Sequence, residues 1–459
     1  MKKKTIWKQG LNVMLACALT ATALPAMIPL TTKAAEAELL KAGPINVTKT
    51  AVTQGQPFAS GTAGSQYFRI PAFIVTQKGN LLAAADARYA TTSDGGGLDT
   101  IASVSTDNGK TWNYSFPLYF PDSEGYSGTS ATTIIDPALV QGADGAIYCI
   151  ADVNPTGITT LYTSPGEGTG YVKVNGVDRL AVTNDYNNAS KQPTDSDQTT
   201  YPYYVGDYDD AGYAKILKRA DDSETGYGVD KWYNLYKVEN GEYKDTLTQK
   251  QVNSQTDIQQ NIFYKGSELH VYNTGYMMYA KTYDDGFTWT NPEILNPQIK
   301  RPTKETALLV SPGQGMLTSD GTIVIPFYDH GDGEENASII WSDDNGKTWK
   351  RSNDVPGAAA GGCWSSESEV IELEGGTLRM FFRSGTGVVC YADAVRNTSG
   401  DYVFTNPVKT GFSCTSTCNV TAISYSKTID GKQAILVAAP GGSGRANGKI
   451  FTFLVEEDK

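Results

Sequence analysis

The sequence predicts an all-β protein, and three observations carry that prediction. The octapeptide Ser105-Thr106-Asp107-Asn108-Gly109-Lys110-Thr111-Trp112 recurs as Thr282-Tyr283-Asp284-Asp285-Gly286-Phe287-Thr288-Trp289 and as Ser342-Asp343-Asp344-Asn345-Gly346-Lys347-Thr348-Trp349. Many short apolar, β-branched or aromatic runs are bounded by Gly, Asp or Asn. No long stretch sustains the apolar period of a helix. Repeats of this kind mark an array of similar supersecondary units, and four-stranded propeller blades are the arrangement that fits.

From the N-terminus, Lys2, Lys3, Lys4 and Lys8 precede an apolar run from Leu11 to Leu30, followed by Thr31-Thr32-Lys33-Ala34-Ala35. A basic start, an apolar middle and small residues after it read as a secretory signal peptide over residues 1–34, with the working domain at 35–459. Pro25 and Pro29 disfavour a stable spanning helix. Met14-Leu15-Ala16-Cys17 loosely resembles a lipobox, but the apolar run continues past Cys17. No later segment is apolar enough to span a membrane, so the expected location is secreted or cell-surface.

Net charge is −12, and removal of residues 1–33 takes away five lysines and no acid, giving −17. Such a body repels nucleic acid and anionic membranes, and any anion site in it must rest on a local cluster of arginines. Cys149, Cys363, Cys390, Cys414 and Cys418 are too few and too scattered for a disulfide scaffold. Cys414 and Cys418 lack a second ligand pair, and the two histidines, His270 and His330, support neither a Ser-His-Asp triad nor a zinc site. Asp207, Asp209 and Asp210, and likewise Asp221 and Asp222, match no EF-hand loop and read as a solvated acidic face. No metal or cofactor is implied.

The strands expected are Asn80–Ala85, Ala146–Ala151, Gly321–Tyr328, Ser338–Trp341, Gly376–Arg383, Ala434–Ala438 and Lys449–Val455. Each octapeptide reads as a hairpin turn between two strands. Its Asp accepts backbone N–H groups, its Gly supplies backbone freedom, and its Trp buries a large ring. Trp112 and Trp289 are 177 residues apart, whereas Trp289 and Trp349 are 60 apart. The long gap, rich in Tyr, Asp, Asn, Thr and Gly, is expected to hold a small β insertion at about 155 to 265, because an unstructured loop of that size is unusual in a domain.

The chemistry lies outside the octapeptides. Phe68-Arg69-Ile70-Pro71 opens the first apolar region, and Asp86-Ala87-Arg88-Tyr89 is followed by Asp94. This tetrapeptide resembles the FRIP motif of the bacterial sialidases, and the octapeptides resemble their Asp boxes. The resemblance runs from residue 60 to 450. It implies a six-bladed β-propeller and an exo-α-sialidase acting on sialylated glycoproteins, glycolipids or oligosaccharides. Arg69 resembles the first of three arginines that hold the sialic acid carboxylate, a task suited to a planar fork that never deprotonates. Arg88 resembles a further pocket arginine, Asp94 the general acid/base, and Asp136 in Ile134-Ile135-Asp136-Pro137 the acid that contacts ring substituents. Glu367 and Arg383, sixteen residues apart, resemble the catalytic Glu and the second arginine. Glu369 lies on the same side of the strand but farther from Arg383, and with Glu372 is assigned to structure or solvent. Arg445 in Arg445-Ala446-Asn447-Gly448 resembles the third arginine.

The implied mechanism retains configuration. Sialic acid carries a carboxylate on its anomeric carbon, so a carboxylate nucleophile meets charge repulsion and a tyrosine serves instead. A Glu takes the phenol proton, and an Asp protonates the leaving aglycone and then activates water. In the family that tyrosine follows the third arginine, whereas no Tyr follows Tyr425 here and the chain ends at Lys459. The expectation is therefore a sialidase whose C-terminus is incomplete, with its last blade open and its nucleophile missing. The alternative is a non-catalytic propeller that binds sialic acid.

Overall fold

The apolar runs identified in the sequence form strands whose ends differ from the runs by a few residues. They become Leu81–Arg88, Ile147–Asn154, Ile323–Gly331, Glu334–Ser342, Leu378–Phe382, Ala434–Pro440 and Gly448–Leu454. In the computed structural model, the described residues are 39–455, except 49–51, 123–129, 160–164, 253, 304, 332–333, 358–361, 416–417 and 442–444. The segment read as a signal peptide lies outside the described residues. Among these residues the one α-helix is the single turn Asn296–Ile299.

Among the described residues the strands form sheets of ten, seven, five, five, three and two strands, none closing on itself, and all pairing is antiparallel except that Leu98–Ser105 and Gly313–Gln314 run parallel to Thr133–Gln141. Leu98–Ser105, Ile147–Asn154 and Leu378–Phe382 are buried at every position. A strand that keeps no polar face is covered on both sides, as it is when sheets stack on sheets. The seven-stranded sheet runs from Tyr171 to Lys244, and its Leu180, Val205, Ile216 and Val229 join the core that also holds Leu82, Ile134 and Met278. The three-stranded sheet, Thr421–Ser424, Ala434–Pro440 and Gly448–Leu454, packs Ala422, Ile435 and Val437 against Phe381 and Val389.

The three octapeptides are superimposable in their bonding. In each, the Asp accepts from the first hydroxyl at 2.8 Å, from the Thr N–H at 2.9 Å and from the Thr hydroxyl at 2.7 Å. Gly109, Gly286 and Gly346 have φ of 81°, 102° and 73°, a conformation costly for other residues. Trp112, Trp289 and Trp349 are buried. The bonds from Thr111 hold the Asp107 carboxyl down to about 2, so this clamp persists in mild acid. The boxes fasten hairpins, and the functional groups sit elsewhere.

Candidate functional site

Two proline-linked bulges aim the first functional residues. In the strand Tyr67–Val75 the pairing with Leu81–Arg88 slips between Arg69 and Ala72, and Ile70, just before Pro71, has φ 57°. In Thr133–Gln141 the pairing slips between Ile135 and Ala138, and Asp136, just before Pro137, has φ 61°. A residue before proline is steered away from helical backbone, and a bulge re-aims the side chain beside it. A left-handed Ile is strained enough to require a surrounding structure that enforces it.

Those bulges bring Arg69, Arg88, Asp94 and Asp136 together. Arg69 Nη1 donates to Asp94 Oδ1 at 2.7 Å and to the Thr92 carbonyl at 2.9 Å. Arg88 Nη1 donates to the same Asp94 oxygen at 2.6 Å, and to the Thr92 and Ser93 carbonyls at 2.8 Å. The Arg88 side chain is fully buried, whereas Asp94 is 47% exposed and Arg69 32% exposed. Two guanidinium groups converging on one carboxylate oxygen make a site built for an anion.

Across the site, Arg383 Nη1 donates to Glu367 Oε2 at 2.8 Å. The two backbones are locked as well, since Arg383 N donates to the Glu367 carbonyl at 2.7 Å and Ser366 N to the Arg383 carbonyl at 3.1 Å. The charge of Glu367 reaches Asp136: burial first, then Asp86 and Glu367, push the Asp136 carboxyl well above its ordinary range. These contacts join Arg69, Arg88, Asp94, Asp136, Glu367 and Arg383. Arg445 sits in the exposed turn before the last strand, with φ 61°.

Glu369 is buried beside Gly313 and Gln314, and burial raises its carboxyl well above its ordinary range. Glu372 accepts from the Ser319 N–H and hydroxyl at 2.7 and 2.8 Å. His270 is buried against the Tyr264 carbonyl, and His330 Nε2 lies 2.9 Å from Glu335.

Sequence reasoning missed Asp86. Its Oδ2 accepts from Arg88 Nη2 at 2.6 Å and Nε at 3.2 Å, and its Oδ1 accepts from the Asp136 N–H at 2.9 Å. Asp86 and Arg88 alternate on one strand and so share a face. An acid two places from an arginine inside an apolar run was the available signal. Also missed are Tyr328, whose buried phenol feels Asp136 and Glu367, and Trp364, whose ring lies 5.7 Å from the Arg383 guanidinium. Asp152 is buried behind Asp136 and accepts the Val310 N–H at 2.8 Å. Among the described residues no group of three or more His, Cys, Asp or Glu side chains has the placement to hold a metal ion.

The chain matches the BNR repeat-like domain family over residues 70–454. It is 29% identical over 436 residues to an anhydrosialidase of Macrobdella decora, covering 87% of this chain and 53% of that protein. It is 27% identical over 448 residues to sialidase B of Streptococcus pneumoniae, covering 87% of this chain and 57% of that protein. The chain thus spans about half the length of these relatives. A solved intramolecular trans-sialidase from Ruminococcus gnavus, in complex with oseltamivir carboxylate, superposes with a TM-score of 0.72 at 28% identity, covering 88% of this chain and 84% of that one.

Proposed function

From a chain that belongs to the BNR repeat-like domain family, is homologous to sialidases and carries this site, we propose the catalytic propeller of an exo-α-sialidase. Its substrates are terminal sialic acids on glycoproteins, glycolipids or oligosaccharides, met outside the cell or at its surface. Its sheets are the blades of a six-bladed propeller, with the Tyr171–Lys244 sheet as an insertion.

The observation that carries the reading is the convergence of Arg69 and Arg88 on Asp94, facing the Glu367–Arg383 pair. The substrate carboxylate binds Arg69, Arg383 and Arg445. Asp94 occupies Arg69 when no substrate is present. An arriving carboxylate displaces it toward the glycosidic oxygen, where it acts as general acid and then activates water. Glu367 accepts the phenol proton of a tyrosine nucleophile. Asp136 and Arg88 contact the ring substituents. Anomeric configuration is retained.

The second reading is a propeller that binds sialic acid without cleaving it. Fluorophore release from a methylumbelliferyl sialoside, with calorimetric binding of sialic acid on the same preparation, separates the two. Release that falls at least a hundredfold in Arg69→Ala supports the enzyme, because about 3 kcal/mol attaches to a lost charged partner. Binding without release selects the second reading, and neither overturns both. Relatives named anhydrosialidase and intramolecular trans-sialidase make the product worth identifying: an internal anhydro sugar or free sialic acid.

A further inference from the structure

The strand Ser368–Glu372 carries an acid, Glu369, that the proposed reaction leaves unused. It is 3% exposed, and its Oε2 lies beside Gly313, 3.5 Å from where a Cβ there would stand. The Gln314 side chain bonds to it, and among the described residues no cation pairs with it. A carboxylate so deeply placed is costly unless something answers its charge.

Glu369 lines a cavity of about 310 Å³. The cavity lies where residues 314–316, 369–372 and 422–424 come together, on segments that belong to different sheets. Its wall is mostly apolar, from Met316, Val370, Ile371, Ala422 and Ile423, and none of its lining residues is basic. Glu372 is the one other titratable group on the wall, and its oxygens are already taken by the Ser319 N–H and hydroxyl. Ile423 is 46% exposed, so a ligand reaches this wall from solvent. A concave apolar wall with one polar group to fix orientation is the usual makeup of a small-molecule site.

We infer that this cavity binds a primary alkylammonium ion, with the ammonium on Glu369 and the alkyl chain along the apolar wall. The acid calls for a cation, and the wall decides which kind. A metal ion needs several oxygen ligands, and among the described residues no group of three or more His, Cys, Asp or Glu is placed to hold one. A sugar would set its hydroxyls against Ile371 and Ile423 without partners. An ammonium with a short chain satisfies both the acid and the wall.

Binding exchanges one positive charge for another. Burial pushes the Glu369 carboxyl well above its ordinary range, so the empty cavity holds the acid with its proton. As the ligand enters, the O–H bond breaks, the proton goes to solvent, and the carboxylate accepts an N–H from the ammonium. The proton released equals the charge taken in. Because the readout is binding and proton release, the inference stands or falls independently of the sialidase reading.

The test is calorimetric titration of the intact chain near neutral pH with pentylammonium, and with pentanol as its uncharged match. Runs in two buffers of different ionisation enthalpy count the protons released. The expected result is saturable binding of pentylammonium, at least about tenfold tighter than pentanol, with release of about one proton. Glu369→Gln keeps the shape but cannot ionise, and should lose both the preference for the ammonium and the proton release. Ile423→Trp fills the cavity from its exposed side and should abolish binding of both ligands. The wild-type comparison decides the matter even if a variant fails to fold. Equal binding of the two ligands, or pentylammonium binding with no proton released, overturns the inference. So does the absence of saturable pentylammonium binding, or an ammonium preference that survives in Glu369→Gln.

Discussion

The first hairpin and the last sheet both carry an arginine assigned to the site, and the structure holds the two in different ways. In the hairpin Tyr67–Val75 with Leu81–Arg88, Arg88 is fully buried and its fork is occupied by Asp86, Asp94 and two carbonyls. In the last sheet Arg445 stands in an exposed turn, and the strand that follows leaves Ile450 71% exposed. In the first region Leu81–Arg88 is buried along almost its whole length, whereas in the last sheet Gly448–Leu454 is largely exposed. An ion pair at two-residue spacing, sealed by neighbouring sheets, fixes a guanidinium before any ligand arrives. The Arg88 side of the site is preorganised, and Arg445 lies in an exposed turn.

The largest expected break in this comparison comes from Asp86→Ala. It leaves Arg88 buried without its bidentate partner and frees the strained Asp136 amide, so the cost is about 3–5 kcal/mol of stability by chemical denaturation. Arg445→Ala should fall within about 0.5 kcal/mol on the same measurement. Equal costs for the two variants would refute the division into a sealed half and an open half.

Next comes a pH effect at a buried acid outside both regions. Asp122 is buried, and burial raises its carboxyl to about 7, against bonds from Thr132 and Thr156 that lower it. Because its folded value lies above its unfolded one, the fold favours the protonated form. That stability is complete below the unfolded value of 3.8 and is lost as pH rises toward about 7. Asp122→Asn cannot ionise, so its stability should fall less than the wild type's between about pH 5 and pH 7, by about 2–3 kcal/mol. Parallel losses in guanidinium titrations at the two pH values would show that Asp122 does not titrate in this range.

How much could be read in advance follows the same division. Arg69, Arg88 and Asp94 lie within one short stretch and keep their motif, so the chain alone proposes them, and the structure places them in contact. Asp86 escaped because an acid inside Leu81–Arg88 resembles an interruption of the apolar run until its two partners are seen. Tyr328 comes from a distant segment, and Trp364, three residues before Glu367, reaches Arg383 only through the pairing of their two segments. The Tyr171–Lys244 sheet was legible as composition and not as strands. A segment such as Glu224–Asp230 alternates nothing apolar, because its Tyr and Gly pack through ring faces and close backbones. The boxes could be read down to their bonds, since every interaction in them is local.

A smaller effect probes Asp94 itself. Its carboxylate occupies the fork that a substrate carboxylate would need, and both it and Arg69 are partly exposed, so the contact is weak. Asp94→Asn removes the competing charge and should tighten binding of sialic acid about three- to tenfold by calorimetry. Unchanged or weaker binding would mean that Asp94 does not cover Arg69 in solution.

The smallest effect separates the two faces of the last sheet. Ile435 and Ile450 lie on neighbouring strands, Ala434–Pro440 and Gly448–Leu454, and are chemically identical. Ile435 is buried against Phe381 and Val389, whereas Ile450 points away from that core. Ile450→Ser removes little area from water contact and should change stability by less than about 0.5 kcal/mol. Ile435→Ser both empties a packed site and buries a hydroxyl, and should cost about 3 kcal/mol or more. If Ile450→Ser costs as much as Ile435→Ser, the outer face is covered in solution, and Arg445 is held as firmly as Arg88.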